Sequence, residues 1–271
     1  MWIDSHAHLN DEAFQDDCQE VLKAAVDGGV GTIIVVGCDL DSSRKAVAMA
    51  QENKMVRAAV GIHPHDAKHW DLKAKDEILA MLKDPRVVAV GEIGLDYHYN
   101  YSSKEDQLKA FKEQLEIAKQ YNKPVIIHNR EAHQDTVSIL HGERIGGAGG
   151  VMHCFSGSLE LAVECLKMGL YVSFAGPLTF PNAEKLRKVA VEIPLDKVLV
   201  ETDCPYLSPH PFRGKRNEPV QVGLVGRKLA ELKGLPVEEI MQATTGNCQR
   251  LFGINITPVV KDTILEETKL Y

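Results

Sequence analysis

Eight times along this chain, a short apolar run rich in β-branched residues is followed by a longer segment whose apolar residues recur every three or four positions. The runs are Trp2–Ser5, Thr32–Gly37, Val56–Gly61, Val87–Gly91, Val125–His128, Gly150–His153, Tyr171–Ala175 and Val198–Glu201. Segments such as Glu12–Asp27 and Lys104–Tyr121 carry the helical period between them. Strand-length runs alternating with helical segments specify βαβ units and a parallel sheet. Eight units without a compositional break predict the α/β class, as a closed (β/α)8 TIM barrel rather than an open sheet. A dinucleotide-binding sheet is disfavoured because Gly28, Gly29 and Gly31 precede a strand instead of opening a helix. Beyond the eighth run, Gln221–Leu232 and Val237–Leu251 read as extra C-terminal helices. Residues 1–254 are expected to form one domain and residues 255–271 a surface appendage.

A chain of 271 residues can bury a large core without covalent staples. The six cysteines form no CxxC pair, which predicts free thiols in a reducing compartment. The chain opens Met1-Trp-Ile-Asp-Ser-His6, without a basic segment leading into an apolar one, and no later apolar run is long enough to span a bilayer. A cytoplasmic location with no membrane contact is therefore expected, and nothing in the pattern calls for an obligate protein partner. The net charge of −7 excludes a protein that coats nucleic acid through a broad basic surface. A nucleic-acid substrate would have to be gripped locally.

In barrels of this kind the chemistry sits at the carboxyl ends of the strands. Metal-ligating residue types gather there: His6 and His8 after the first run, His63 and His65 after the third, Glu92 and Asp96 after the fourth. His128 and Arg130 close the fifth, His153 the sixth, and Glu201 and Asp203 the eighth. Side chains two apart on a strand point the same way, so both imidazoles of His6-Ala-His8 reach one cation. Singly, each residue has a plainer explanation: a lone histidine is often a satisfied core residue, and an acid at a strand end is often a helix cap. Their recurrence at one end of several strands favours a metal centre. Glu201 would otherwise be a buried charge and needs a cation or a donor.

Four histidines with two or three carboxylates exceed the needs of one tetrahedral ion, and a carboxylate such as Glu92 can bridge two, so two divalent ions are expected. Imidazole suits zinc or manganese, while the carboxylates also suit magnesium, and the metal's identity stays open. Arg130, two residues beyond His128, is placed to grip a phosphate with its planar fork. The loop Pro209–Pro219 adds Arg213, Lys215 and Arg216, a second candidate grip or a solvated turn. Tyr97 and Phe212 are candidates for stacking on bases, although packing explains each better.

Taken in order, seven segments resemble the TatD-type deoxyribonucleases of the metal-dependent amidohydrolase superfamily. They are Ile3-Asp-Ser-His-Ala-His-Leu9, Gly61-Ile-His-Pro-His65, Gly91-Glu-Ile-Gly-Leu-Asp-Tyr97, His128-Asn-Arg130, His153-Cys-Phe-Ser-Gly157, Glu201-Thr-Asp-Cys-Pro-Tyr206 and Arg213-Gly-Lys-Arg-Asn-Glu-Pro219. Thr245–Phe252 is similar to the family's closing helix. The resemblance implies a barrel, divalent-metal dependence and hydrolysis of DNA, often exonucleolytic on single strands. It assigns His6, His8, Glu92, His128, His153 and Asp203 to metal and puts His63 and Glu201 nearby. The tail after Ile254 is longer than the family pattern needs.

From this set, Asp203, Glu92 and Glu201 are the expected catalytic carboxylates, and His63, Arg130 and Arg213 the expected substrate contacts. DNA, as a single strand, is the expected partner. One rival is an amide or ester hydrolase, such as an aminoacyl-RNA deacylase, because the same site polarises a carbonyl. Another is a barrel that binds metal without turnover.

Overall fold

The computed structural model describes residues 1–99, 101–143 and 147–256. All eight apolar runs are strands: β1 (Trp2–Ala7), β2 (Val30–Val36), β3 (Val56–Val60), β4 (Val87–Asp96), β5 (Val125–Arg130), β6 (Gly150–Met152), β7 (Tyr171–Phe174) and β8 (Val198–Val200). They pair in parallel in chain order. The ring closes at its carboxyl end, where the His8 amide donates to the Cys204 carbonyl at 2.7 Å and the Asp203 amide to the His6 carbonyl at 2.9 Å. The molecule is a (β/α)8 barrel.

Helices α1 (Cys18–Asp27), α2 (Leu40–Glu52), α3 (Leu72–Met81), α4 (Lys104–Gln120), α5 (His133–Glu143), α6 (Leu159–Lys167), α7 (Glu184–Glu192) and α8 (Val222–Lys233) each follow their strand. Short polar side chains start several of them: Asp71, Ser103 and Ser158 each accept from the backbone three residues on, and Asp39 forms a capping box with Ser42. The first of the two segments expected as extra therefore completes the eighth unit, and only α9 (Val237–Phe252) is additional.

The pleat sorts the core. On β2, Ile33 and Val35 face the helices, whereas Ile34 and Val36 face the barrel interior. At the amino end of the barrel Cys248, Leu251 and Phe252 of α9, with Ile254 beyond it, join that interior cluster and plug the barrel opposite the site. Helix α8 lies so close to β1 that a Cβ at Gly226 would come within 2.2 Å of the Trp2 ring.

Two expected boundaries shift. The segment Glu12–Asp27 is not one helix: a 3-10 turn (Glu12–Phe14) capped by Asp11 precedes α1. The break lets Phe14 bury completely while Arg216 bonds the Ala13 carbonyl and pairs with Asp17 at 2.6 Å. Strand β4 runs five residues past its expected end and carries Glu92 and Asp96 within it. The expected appendage lies outside the described residues from 257 onward. Among the described residues no helix is long and apolar enough to cross a membrane.

Candidate functional site

The carboxyl ends of the strands converge on Glu92. Its strand slips register against β5 between Val90 and Ile93, and such an irregularity re-aims a side chain. Gly94 then returns β4 to the ladder opposite His128 with a φ of 145°, and a Cβ there would stand 2.0 Å from the His128 carbonyl oxygen. Only glycine fits that approach.

The two oxygens of Glu92 serve different neighbours. Oε2 lies 3.3 Å from His6 Nε2 and 3.8 Å from His8 Nε2. Oε1 lies 2.7 Å from His153 Nε2, 2.8 Å from His128 Nδ1 and 3.5 Å from His63 Nε2. Asp203 Oδ1 completes the first group, 3.4 Å from His8 Nε2 and 3.7 Å from His6 Nε2. His6, His8 and Asp203 thus form one set of converging donors, and His63, Glu92 and His128 another.

The set fits divalent ions. It consists of imidazole nitrogens and carboxylate oxygens, a mixed donor set that zinc and manganese both accept. The Nε2 atoms of His6 and His8 face each other at 3.0 Å, so either one donates to the other or both turn their lone pairs to a shared cation. His6 Nδ1 is buried without a partner among the described residues, so the ring's other nitrogen alone is engaged.

Electrostatics follow from crowding in a buried space. Burial would push Glu92 up, but the facing imidazoles of His153, His63 and His128 hold it well below the usual carboxylate range. Asp203 is likewise held low against its burial, chiefly by His8 and His6. Burial would lower His153, yet Glu92 and Glu201 raise it well above the usual histidine range. His128 is raised against burial by Asp96 and Glu92. His63 is lowered to about 4, by burial first and then by His128.

Other carboxylates stand behind the ligand set. Asp96 Oδ2 lies 3.0 Å from both His128 Nε2 and His65 Nε2, linking the two rings. Glu201 Oε1 accepts from the Cys154 amide at 2.7 Å and lies 3.3 Å from His153 Nδ1. One oxygen of Glu201 thereby gains a donor and braces His153 from behind, while Oε2 is buried without a partner among the described residues. Strand alternation does not relate it to Asp203: β8 ends at Val200, and Asp203 has a φ of 58°, a left-handed conformation that aspartate tolerates better than most residues.

A cavity of about 580 Å³ opens over the centre, walled by His8, Glu92, His128, His153, Asp203 and Arg130. His63 lies at its base, among the metal donors. Arg130 ends β5 exposed, and among the described residues no carboxylate pairs with it. Arg213 is not brought to this cavity. Its guanidinium lies over the Phe180 ring at 3.9 Å and bonds the Ser208 carbonyl at 3.2 Å, so the residue ties its own loop down. Tyr97 also points elsewhere, its hydroxyl donating to Asp135 at 2.8 Å. Cys38, Tyr99 and Tyr206 line the cavity and carry no signal in the sequence pattern, because loops place all three. All six cysteines are free.

The sequence pattern of the TatD related DNase family matches residues 3–253. An uncharacterized metal-dependent hydrolase from Bacillus subtilis, YabD, is 49% identical over 259 residues, covering 94% of this chain and 100% of that protein. The 3'-5' ssDNA/RNA exonuclease TatD of Escherichia coli K12 is 33% identical over 257 residues, covering 93% and 99%. Among solved structures, YJJV, a TatD homologue from Escherichia coli K12, superposes with a TM-score of 0.89 at 34% identity, covering 94% of this chain and 98% of that one. With its motifs held in this geometry, the chain belongs to the TatD related DNase family of metal-dependent hydrolases.

Proposed function

We propose that this protein hydrolyses phosphodiester bonds in DNA, removing nucleotides from single strands, at a centre for two divalent ions. The observation that carries the reading is the division of Glu92 between two donor groups in the cavity that Arg130 also lines, its guanidinium paired with no carboxylate among the described residues. Residues 1–254 act as one catalytic unit. His6, His8 and Asp203 would hold one ion and His128 and His153 the other, with Glu92 placed to serve both and His63 near the second. Bound there, the ions supply Lewis acidity and lower the pKa of water.

The chain's own groups supply the rest. Arg130 offers two parallel N–H donors to the non-bridging phosphate oxygens, fixing the phosphate and offsetting the charge that builds on it. Asp203, kept ionised by its imidazole neighbours and open to the cavity, orients the attacking water and accepts its proton. Glu201 and Asp96 hold His153 and His128 in register, as carboxylates behind ligating imidazoles do. Glu92 completes the catalytic carboxylates by fixing the two donor groups relative to each other. The name carried by the Escherichia coli relative, an ssDNA/RNA exonuclease, supports the same substrate class.

The test is incubation of the metal-reconstituted protein with end-labelled single- and double-stranded DNA, read as a product ladder, beside an aminoacyl ester of RNA. A ladder from single strands supports the reading. Release of the acyl group with DNA left intact overturns it.

A further inference from the structure

Among the described residues, the tyrosine and phenylalanine rings exposed to solvent are Tyr99, Tyr101, Tyr206 and Phe212. All four stand on two loops at the carboxyl end of the barrel, following β4 and β8. Among the described residues the rest of the surface carries none. Exposed aromatic rings gathered at one opening mark a contact surface.

Their arrangement is specific. Tyr99 and Tyr101 are stacked, with ring centroids 5.5 Å apart and planes 8° from parallel. His65 meets both edge-on, at 5.5 Å and 4.9 Å, and the Arg130 guanidinium lies 4.7 Å from the Tyr99 ring centre. Tyr101 is 59% exposed although its neighbours hold it in place, so its surface is both fixed and available. Across the cavity, Tyr206 is 53% exposed, held by its hydroxyl on Asp11 at 3.0 Å and by an edge contact with His8 at 5.9 Å.

From this geometry we infer that the Tyr99–Tyr101 pair and Tyr206 form a two-sided aromatic rim that stacks on the nucleobases flanking the phosphate held at Arg130. The inference deepens the nuclease reading and rests on it. Stacking on a π-face needs no particular base, so the rim accepts any sequence. In a duplex, bases are already stacked and paired, so the rim selects strands whose bases are free. Because Tyr99 also touches the guanidinium, the ring that takes a base helps aim the fork that takes the phosphate. Net charge of −7 leaves little general attraction for a polyanion, and stacking supplies affinity that does not depend on it.

Two oligonucleotides of equal length and charge test the rim, one intact and one lacking bases at the positions nearest the cleaved end. Binding to metal-free protein is read by fluorescence anisotropy, and KM and kcat are read on the metal-loaded protein. The wild type is expected to favour the intact strand about tenfold or more in binding and in KM, within the range stacking contributes per base. Tyr101→Leu and Tyr206→Leu should each shrink that preference, and Tyr101→Phe should keep it, with metal content unchanged. Equal binding of the two strands by the wild type, or a preference that survives both leucine variants, overturns the rim while cleavage of DNA continues. If the metal-loaded wild type cuts neither strand, the nuclease reading fails and the rim fails as a substrate grip with it.

Discussion

Glu92 Oε1 lies 2.7 Å from His153 Nε2, while the other oxygen of the same carboxylate lies 3.3 Å from His6 Nε2. One side chain therefore ties together imidazoles from opposite sides of the barrel. Glu92→Gln keeps the volume but leaves a single oxygen and adds an N–H₂ that repels a cation. The expected outcome is loss of at least one bound ion and a fall in turnover of about a hundredfold or more, beyond what loss of a partner behind a ligand gives. Metal analysis and turnover on the same samples, with circular dichroism as the control for folding, check it. Retention of two ions at native turnover would show that Glu92 is not shared.

Removal of metal should couple to protons. An ion binds the neutral imidazole, and His128 and His153, whose facing carboxylates raise them above the usual histidine value, keep their protons to higher pH in the metal-free chain than a free imidazole does. Binding of zinc or manganese at pH 7 is thus expected to release protons, and apparent affinity should fall as pH drops from 8 to 6. In the metal-free chain the same two groups contribute stability that is full below about 6.5 and is lost as pH rises through their folded values. His63, lowered to about 4, acts in the opposite sense, weakening the fold as pH falls from 6.5 towards 4. Titration calorimetry in two buffers of different ionisation enthalpy measures the protons. Identical heats in both would count against the shifts.

Gly94 offers a test of how the fold positions the site. Alanine there would have to adopt a φ near 145° and place its Cβ against the His128 carbonyl. Strain and overpacking together should destabilise the protein by roughly 2–4 kcal/mol. Since Gly94 pairs with His128, the loss should fall on metal content as well as on melting temperature. A Gly94→Ala variant that melts and binds metal normally would mean that the strand relaxes freely at this point.

The legible parts of this protein are those governed by short-range periodicity. Ile33 to Val36 read as a strand because alternate residues are apolar for two different neighbours, the helices outside and the plug of α9 within. The convergence of His6, His8, His63, His128 and His153 was legible because strand ends in a parallel barrel face one opening. What escaped was set by contacts that no window of sequence contains. Asp203 and Glu201 read as same-face neighbours, yet β8 ends before both. Arg213 read as a phosphate grip, but Phe180, thirty-three positions earlier, takes its guanidinium. Tyr101 carried no signal, and Tyr206 entered only as the end of a motif, because their common rim exists only once two loops meet.

Arg130→Lys separates charge from geometry at the mouth. The lysine keeps the cation but loses the planar fork and the stacking contact with Tyr99. DNA turnover should weaken, with metal content and folding unchanged, since no carboxylate depends on Arg130 as a partner among the described residues. Steady-state kinetics decide: kcat and KM both at wild-type values would remove Arg130 from substrate contact.

Asp203 is held ionised by His8 and His6, and it faces the cavity from a loop position with a φ of 58°. On the proposed reading its carboxylate would serve both as a donor to one ion and as the acceptor of a proton from water. Asparagine preserves the size and one oxygen but removes the charge and the proton acceptor. Asp203→Asn is expected to lower the single-turnover rate by roughly a hundredfold or more, the range that general-base catalysis contributes, while substrate still binds. Raising the pH should restore part of the loss, because hydroxide then replaces the missing base. Weaker metal binding alone would also slow the variant, so metal content is measured across the same pH series and the rate is compared at equal occupancy. A variant that holds its metals and cuts at the native rate would leave Glu92 as the one of the three expected catalytic carboxylates that still lines the cavity, since Glu201 lies behind His153 with one oxygen on its ring and on the Cys154 amide.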